Sequence, residues 1–249
     1  MNVAESLANH LPKRTLYSAS AWYYRVRPEK ELLFVDQLAD PSRRAVDVGG
    51  WWGPWTYWLS RYCREVITFE PNPVMAAHLR RVTADNVRVE AVALSDHSGE
   101  GTLWVPEGRG PDALASLREG VEGRGQSVTV PLHRLDDFDV DDVGFLKIDV
   151  EGHEYAVLEG ALETIRRSRP VLLVELEENK SARPIDAAID LLAGLGYEGW
   201  IRRERQWASA NTFDLETDQR AHAHEPLSPS YINNFVFFPA GSGPPDRRS

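Results

Sequence analysis

From Arg44 onward the chain alternates short, mostly apolar runs with helix-patterned segments, and the runs end in an acid or a glycine. Ala45 to Val48 stops at Gly49-Gly50, Val66 to Phe69 at Glu70, and Val143 to Ile148 at Asp149, while Val171 to Glu175 carries its acid as the last residue. Runs this short and this apolar read as strands buried on both faces. Pro54 to Tyr62, Pro73 to about Val82, Glu154 to Arg167 and Ile185 to Leu195 read as the helices between them, and Pro73 suits a first helical turn. Repeated strand–helix units predict an α/β fold with a mostly parallel sheet covered by helices on both faces. Ligands of such sheets bind at the carboxyl ends of the strands. The polar residues just after each strand therefore matter most: Asp47 with Gly49, Glu70 with Asn72, Ser95 with Asp96, Asp149 with Glu151 and His153, and Glu175 with Glu177 and Glu178.

Val87 to Leu94 reads as one more strand, Gly101–Val105 and Ser127–Leu132 as β segments around a glycine-rich stretch, and Gly199–Arg203 and Phe235–Phe238 as closing strands. Residues 1–41 read as an N-terminal helical extension, 42–239 as the main domain, and 240–249 as a disordered tail. The 249 residues carry 28 Lys and Arg against 38 Asp and Glu, a net charge of −10. That balance disfavours nucleic acid as partner, because phosphate binding needs a basic face. Arg202-Arg203-Glu204-Arg205 is interrupted by an acid and reads as a solvated face. The single cysteine, Cys63, excludes an intrachain disulfide and a cysteine-based zinc site. No apolar run reaches the roughly 18 residues of a membrane span, and the first residues lack the apolar core of a signal peptide. These readings fit a cytoplasmic protein.

The turn Asp47-Val48-Gly49-Gly50-Trp51-Trp52-Gly53 carries the first chemistry. Glycines there let the backbone approach a ligand and open a helix whose N-terminus is partly positive. The spacing is not the G-x-G-x-x-G of dinucleotide enzymes. Glu70 follows Asp47 by 23 residues, at the end of the next strand, where an acid can accept both hydroxyls of a ribose. An aspartate beside the glycines repels phosphates but suits a cationic amino-acid or sulfonium group. The ligand suggested is an adenosine without pyrophosphate.

Together these residues resemble the FkbM family of S-adenosylmethionine-dependent methyltransferases, over roughly Arg44 to Glu178. VDVGGWWGPWT is similar to the family's V-D-V-G-A-N-x-G-x-x-T, and FEPNP matches almost letter for letter. Ala93-Leu94-Ser95-Asp96 with Gly99, Leu135-Asp136-Asp137, FLKIDVEGHE at 145–154 and Leu173-Val174-Glu175 follow in the family's order. The resemblance implies a Rossmann-like class I methyltransferase with a seven-stranded sheet. It implies that Asp47, Gly49 and Gly53 line the methionine end of S-adenosylmethionine, with Gly50 and Trp51 in the same cofactor-binding turn, that Glu70 holds the ribose with Asn72 close by, and that Ser95 and Asp96 sit near the adenine. The family usually has Ala-Asn where this chain has Gly50-Trp51.

In the second constellation, alternation sends Lys147, Asp149 and Glu151 to one side, and His153 opens the next helix. Methyl transfer to a hydroxyl needs collinear reacting atoms and a proton acceptor. Asp149, Glu151 and His153 are the candidate bases; Lys147 is a partner for Asp149 or a substrate contact. His153 reads equally well as a helix-terminal residue packing on the sheet. Mg²⁺ held by Asp149 and Glu175 is the rival mechanism.

Four of the eight tryptophans lie at 51–58. Trp55, Trp58 and Tyr62 fall on one helix stripe and belong to the core or to the interface of a homodimer. Trp51 and Trp52 could wall a pocket, and Trp22, Tyr23 and Tyr24 could extend an acceptor cleft. The stretch Pro106–Gln126 reads as a surface loop or as a lid over the acceptor. The resulting expectation is an O-methyltransferase acting on a small-molecule hydroxyl, a sugar or glycoside first. A polyketide or other natural-product hydroxyl is the alternative, and a non-catalytic S-adenosylmethionine-binding module stands behind both.

Overall fold

The computed structural model describes residues 12–26, 30–107, 115–117, 125–203, 206–225, 228 and 230–244. Helix α1 (Lys13–Val26), a 3₁₀ turn (Lys30–Phe34) and helix α2 (Val35–Leu38) precede the sheet. Then come β1 (Arg44–Val48), α3 (Pro54–Tyr62), β2 (Glu65–Phe69), α4 (Pro73–Val82), β3 (Val87–Glu90), β4 (Ala93–Leu94), β5 (Gly99–Pro106) and β6 (Gly125–His133). The second half holds β7 (Val143–Ile148), α5 (Glu154–Glu159), α6 (Leu162–Ser168), β8 (Val171–Glu175), α7 (Ile185–Gly194), β9 (Tyr197–Arg203), β10 (Gln206–Ser209), α8 (Leu215–Asp218) and β11 (Asn234–Pro239).

The main sheet runs β3-β2-β1-β7-β8-β11-β9-β10. Its first five strands are parallel and its last three antiparallel. It has eight strands where the resemblance implies seven. The extra one is β10, which folds back on β9 with Gln206 opposite Arg203. Two further departures have tertiary causes. The run Val87–Leu94 divides: β3 stays in the sheet, whereas β4 pairs with β6 in a separate three-stranded sheet with β5. The helix expected at 154–167 breaks into α5 and α6 at Gly160, where a Cβ would lie 1.9 Å from the Ser95 carbonyl oxygen.

Strand alternation places two cores on opposite faces of the sheet. Val46, Val48, Ile67, Phe69, Leu146, Ile148, Leu172 and Val174 pack with α5, α6 and α7 on one face. Ala45, Val66, Phe145, Leu173 and Val236 pack with α1, α2 and α3 on the other. Trp55 and Trp58 are buried in this second core, at about 1.5–3 kcal/mol for a large apolar side chain. The Trp58 indole N–H also donates to the Ala21 carbonyl at 3.0 Å, so α1 is joined to α3 by packing and by a hydrogen bond.

Most of the stretch expected as a lid, residues 108–114 and 118–124, lies outside the described residues, as do residues 1–11 and 245–249. Of the expected tail, Ala240 bonds back to the Gly196 carbonyl and Ser242 to that of Pro239. No described helix is long and apolar enough to cross a membrane.

Candidate active site

A cavity of about 480 Å³ opens where β1, β2, β7 and β8 end. The turn after β1 forms one wall. The Gly49 and Gly50 N–H groups both donate to the Phe69 carbonyl, at 3.0 and 3.2 Å, which ties the turn to the end of β2. Gly49 is left-handed (φ 84°), and a Cβ there would sit 1.8 Å from the Asp149 carbonyl oxygen; only glycine lets the turn lie against the exit of β7. Trp51 is left-handed without being glycine (φ 45°). Its N–H donates to Glu70 Oε2 at 2.6 Å, and its ring meets Tyr24 edge-on at 5.3 Å. Glu70 Oε1 accepts from the Asn72 N–H at 2.8 Å. Burial pushes the Glu70 carboxyl up to about 7, against these two backbone hydrogen bonds. Asn72 in turn caps α4, its side-chain oxygen accepting from Val74 N–H at 3.0 Å.

Asp47 sits beneath this turn, fully buried, and the cavity is lined instead by Val48, Gly49, Gly50 and Trp51. Asp47 Oδ2 accepts from the Thr56 hydroxyl at 2.6 Å and Oδ1 lies 3.7 Å from Lys147 Nζ. Burial raises its pKa; Lys147 and Thr56 oppose the shift. Gly53, also left-handed, closes the turn, and its carbonyl accepts from the Tyr17 hydroxyl of α1 at 2.9 Å.

The facing wall comes from β7, β8 and the start of β11. Lys147 Nζ contacts Asp149 Oδ2 at 3.0 Å and donates to the Gly49 carbonyl at 3.2 Å. Glu151 is left-handed (φ 55°); its carbonyl accepts from the Ser116 hydroxyl at 2.8 Å and its Oε2 pairs with Lys180 Nζ at 2.8 Å. Burial pushes the Glu151 carboxyl up, Asp149 adds to the shift, and Lys180 opposes it. Lys180 also reaches Glu177 at 3.1 Å and Glu175 at 3.9 Å. Burial would lower its pKa, but the three carboxylates raise it on balance and keep it charged. Asn233 Nδ2 donates to Glu175 at 2.9 Å and to Glu177 at 3.2 Å. Tyr23, Tyr24, Ala115 and Leu117 complete the lining, with Phe69, Met75, Val92 and Leu94 as apolar walls.

The structure thus brings Gly49, Gly50, Trp51, Glu70, Asn72, Lys147, Asp149, Glu151 and Glu175 to one cavity. Five expected site residues do not line it: Asp47 and Gly53, already placed beneath and at the close of the turn, and His153, Ser95 and Asp96. His153 Nε2 lies 2.9 Å from the Ser95 hydroxyl, and burial lowers its pKa toward the neutral ring. Ser95 is fully buried and also bonds Asp96, which pairs with His97. On this side Val92, Ala93 and Leu94 face the cavity instead. Trp52 packs on His78 at 5.0 Å. Asp149 and Glu175, considered as an Mg²⁺ pair, are each approached by a lysine instead. Among the described residues no group of three or more His, Cys, Asp or Glu is arranged to hold a metal ion.

Sequence reasoning missed Tyr17, Lys180, Asn233 and Asn234. Lys180 had a signal in its i+3 spacing from Glu177. The two asparagines precede a strand rather than follow one. Because β11 runs antiparallel to β8, with Asn234 opposite Glu175, its start lies at the carboxyl edge of the parallel strands.

Residues 44–198 match the family model described as the methyltransferase FkbM domain. A methyltransferase FkbM from Methylobacillus flagellatus KT shares the fold, with a TM-score of 0.55 at 18% identity over 88% of this chain and 50% of that one. The chain therefore spans half the length of that protein. An rRNA methylase from Streptococcus thermophilus is 12% identical over 86% of this chain and 97% of its own, with a TM-score of 0.48. No curated protein matches the sequence. The family match covers well over half of the chain and includes the glycine turn, Glu70 and the β7 exit, so the chain belongs to the FkbM methyltransferase domain family.

Proposed function

We propose that the chain transfers a methyl group from S-adenosylmethionine to a hydroxyl of a small-molecule acceptor, with a sugar or glycoside as the acceptor class. One observation carries this reading: two carboxylate systems of different character share one cavity. Among the described residues Glu70 accepts from two backbone N–H groups, that of Trp51 in the β1 turn and that of Asn72 in its own, which leaves acceptor capacity on both oxygens for ligand hydroxyls. Asp149 and Glu151 are held by lysine ammonium groups.

The residues present fit the cofactor. Glu70 would accept from the ribose, the Gly49–Trp51 backbone and Asn72 would flank it, and Phe69, Met75, Val92 and Leu94 offer an apolar slot for a base. The volume lies within the usual range for such sites. Bound there, S-adenosylmethionine supplies an electrophilic methyl group on a sulfonium centre.

The chain's own contribution is to place the acceptor hydroxyl and take its proton. Glu151, raised by burial and facing the cavity, is the stronger base candidate, with Asp149 beside it. Lys147 and Lys180 fix these carboxylates and supply the cations of the site, so the reading uses no Mg²⁺. His153 takes no part in it. Asn233, Asn234 and Glu177 supply hydrogen-bonding groups suited to a polyhydroxylated acceptor, and the −10 net charge disfavours a nucleic acid.

Isothermal titration with S-adenosylmethionine and S-adenosylhomocysteine tests the cofactor half. Mass spectrometry of a glycoside panel for products one CH₂ heavier tests the chemistry. Glu151→Gln and Asp149→Asn are expected to lower kcat by about 10²–10⁴ at unchanged cofactor affinity. Turnover indifferent to both substitutions removes the base assignment. Binding without product across the panel leaves a non-catalytic module.

A further inference from the structure

The outer face of α1 continues the cavity as an apolar surface. Trp22, Tyr23 and Val26 are 55%, 56% and 63% exposed, among the largest exposures of any large apolar side chain described. Their spacing of i, i+1 and i+4 puts them on one side of the helix, opposite the buried Tyr17 and Ala21. Trp22 is held edge-on against Trp58 at 4.7 Å, and the Arg25 guanidinium lies 4.0 Å over the Trp58 ring. Tyr23 belongs to both surfaces: it lines the cavity and lies on the exposed face. Apolar patches that open onto a ligand site and are rimmed by polar residues mark binding surfaces.

The cavity itself is small for two ligands. About 480 Å³ is the size of a site for one cofactor-sized molecule. An acceptor sharing it with a nucleoside can place only its reactive ring inside, and the rest must leave past Tyr23. On the proposed methyltransferase reading, we infer that the acceptor is amphiphilic. Its hydroxyl-bearing head meets Glu151, Glu177, Lys180 and Asn233, and an alkyl or aryl aglycone lies along Trp22, Tyr23 and Val26.

Methyl, butyl and octyl β-glucosides, kept below their micelle concentrations, test this directly. Affinity is measured by titration with and without S-adenosylhomocysteine, so that the outcome does not depend on turnover. The Kd is expected to fall by at least about tenfold from methyl to octyl, in line with apolar burial. Val26→Glu and Trp22→Ser should remove that gain while the methyl glucoside and S-adenosylhomocysteine bind as in the wild type. Val26 is more exposed than Trp22, so its variant reports even if Trp22→Ser disturbs Trp58. A flat series, no glucoside binding at all, or a gain that survives Val26→Glu overturns the inference. So does sedimentation showing a dimer that Val26→Glu dissociates, or binding of neutral lipid vesicles without a glucoside head. Failure of the methyltransferase reading has a separate signature: no binding of S-adenosylmethionine and no methylated product, whatever the glucoside series shows.

Discussion

The turns that follow β1 and β7 are built alike and used differently. Each contains a left-handed residue other than glycine, Trp51 (φ 45°) or Glu151 (φ 55°), beside a left-handed glycine that no other residue can replace without a clash. Each is fastened by one buried glutamate that accepts two backbone N–H groups. Glu70 takes those of Trp51 and Asn72; Glu154 takes those of Val150 and Gly152. Burial pushes both carboxyls up to about 7. Only Glu70 lines the cavity; Glu154 is 3% exposed beneath the β7 exit. The same device therefore stands once at the cavity wall and once as a buried fastening. Strain of this kind, at about 1–3 kcal/mol per residue, persists only where surrounding bonds over-determine it.

Lys147 joins the two turns, and removing it should have the largest effect. In Lys147→Met, Asp47 is left fully buried without its nearest cation, 3.7 Å away, and Asp149 loses its partner at 3.0 Å. Breaking one side of a buried pair costs roughly 3–5 kcal/mol, so the urea midpoint should fall sharply. An unchanged midpoint would mean that the turns do not depend on their shared lysine. Next come the glycines. Gly49→Ala puts a Cβ 1.8 Å from the Asp149 carbonyl oxygen, and Gly152→Ala one 2.2 Å from that of Lys180. Each should cost about 3 kcal/mol, Gly49→Ala the more. Equal stability of both variants and wild type would show that the turns relax freely.

How much of this could be read in advance follows from the same residues. The four parallel strands β1, β2, β7 and β8 and the glycine turn were legible because a buried strand and a left-handed turn constrain local residue types. The break at Gly160 was not, since it answers to the Ser95 carbonyl far away in sequence. Nor was the orientation of His153, because nothing in EGHE tells whether the ring faces the cavity or Ser95. The rule of looking after each strand found Glu70, Asp149 and Glu177 but passed over Asn233 and Asn234, which precede an antiparallel strand. The aromatic N-terminal helix showed its composition, whereas the Tyr17 bond to Gly53 needed the tertiary fold.

On the proposed function, the cavity-lining Glu70 and its buried twin Glu154 are separated by affinity and by pH. Glu70→Gln removes a charged acceptor for ligand hydroxyls, worth about 1.5–3 kcal/mol, so S-adenosylmethionine should bind roughly 10–100-fold more weakly. Glu154→Gln should leave that affinity alone. Both glutamates have native pKa values raised from 4.5 to about 7. Between those values the native state holds more protons than the unfolded chain, so their contribution to stability is full below about 4.5, declines as pH rises and is lost above about 7. Cofactor affinity should run the other way, rising as Glu70 ionises through about 7. Denaturation and titration series across that window check both slopes. A pH-independent affinity would remove Glu70 from the ribose site.

The smallest effect should come from Trp51, where the chain departs from the family's usual asparagine. At φ 45° asparagine is among the residues best tolerated, so Trp51→Asn relieves backbone strain. It also gives up the edge-on contact with Tyr24 at 5.3 Å, of a kind worth about 0.5–1.5 kcal/mol. The two terms oppose each other, and stability should change by less than about 1 kcal/mol. The N–H bond to Glu70 belongs to the backbone and survives the change, so cofactor affinity should hold within about threefold, or roughly 0.7 kcal/mol. The acceptor side should feel it more, because Trp51 and Tyr24 both line the cavity: the KM for a glycoside should rise while kcat stays. If cofactor affinity collapses instead, the indole itself holds the nucleoside, and the β1 turn binds by side chain rather than by backbone.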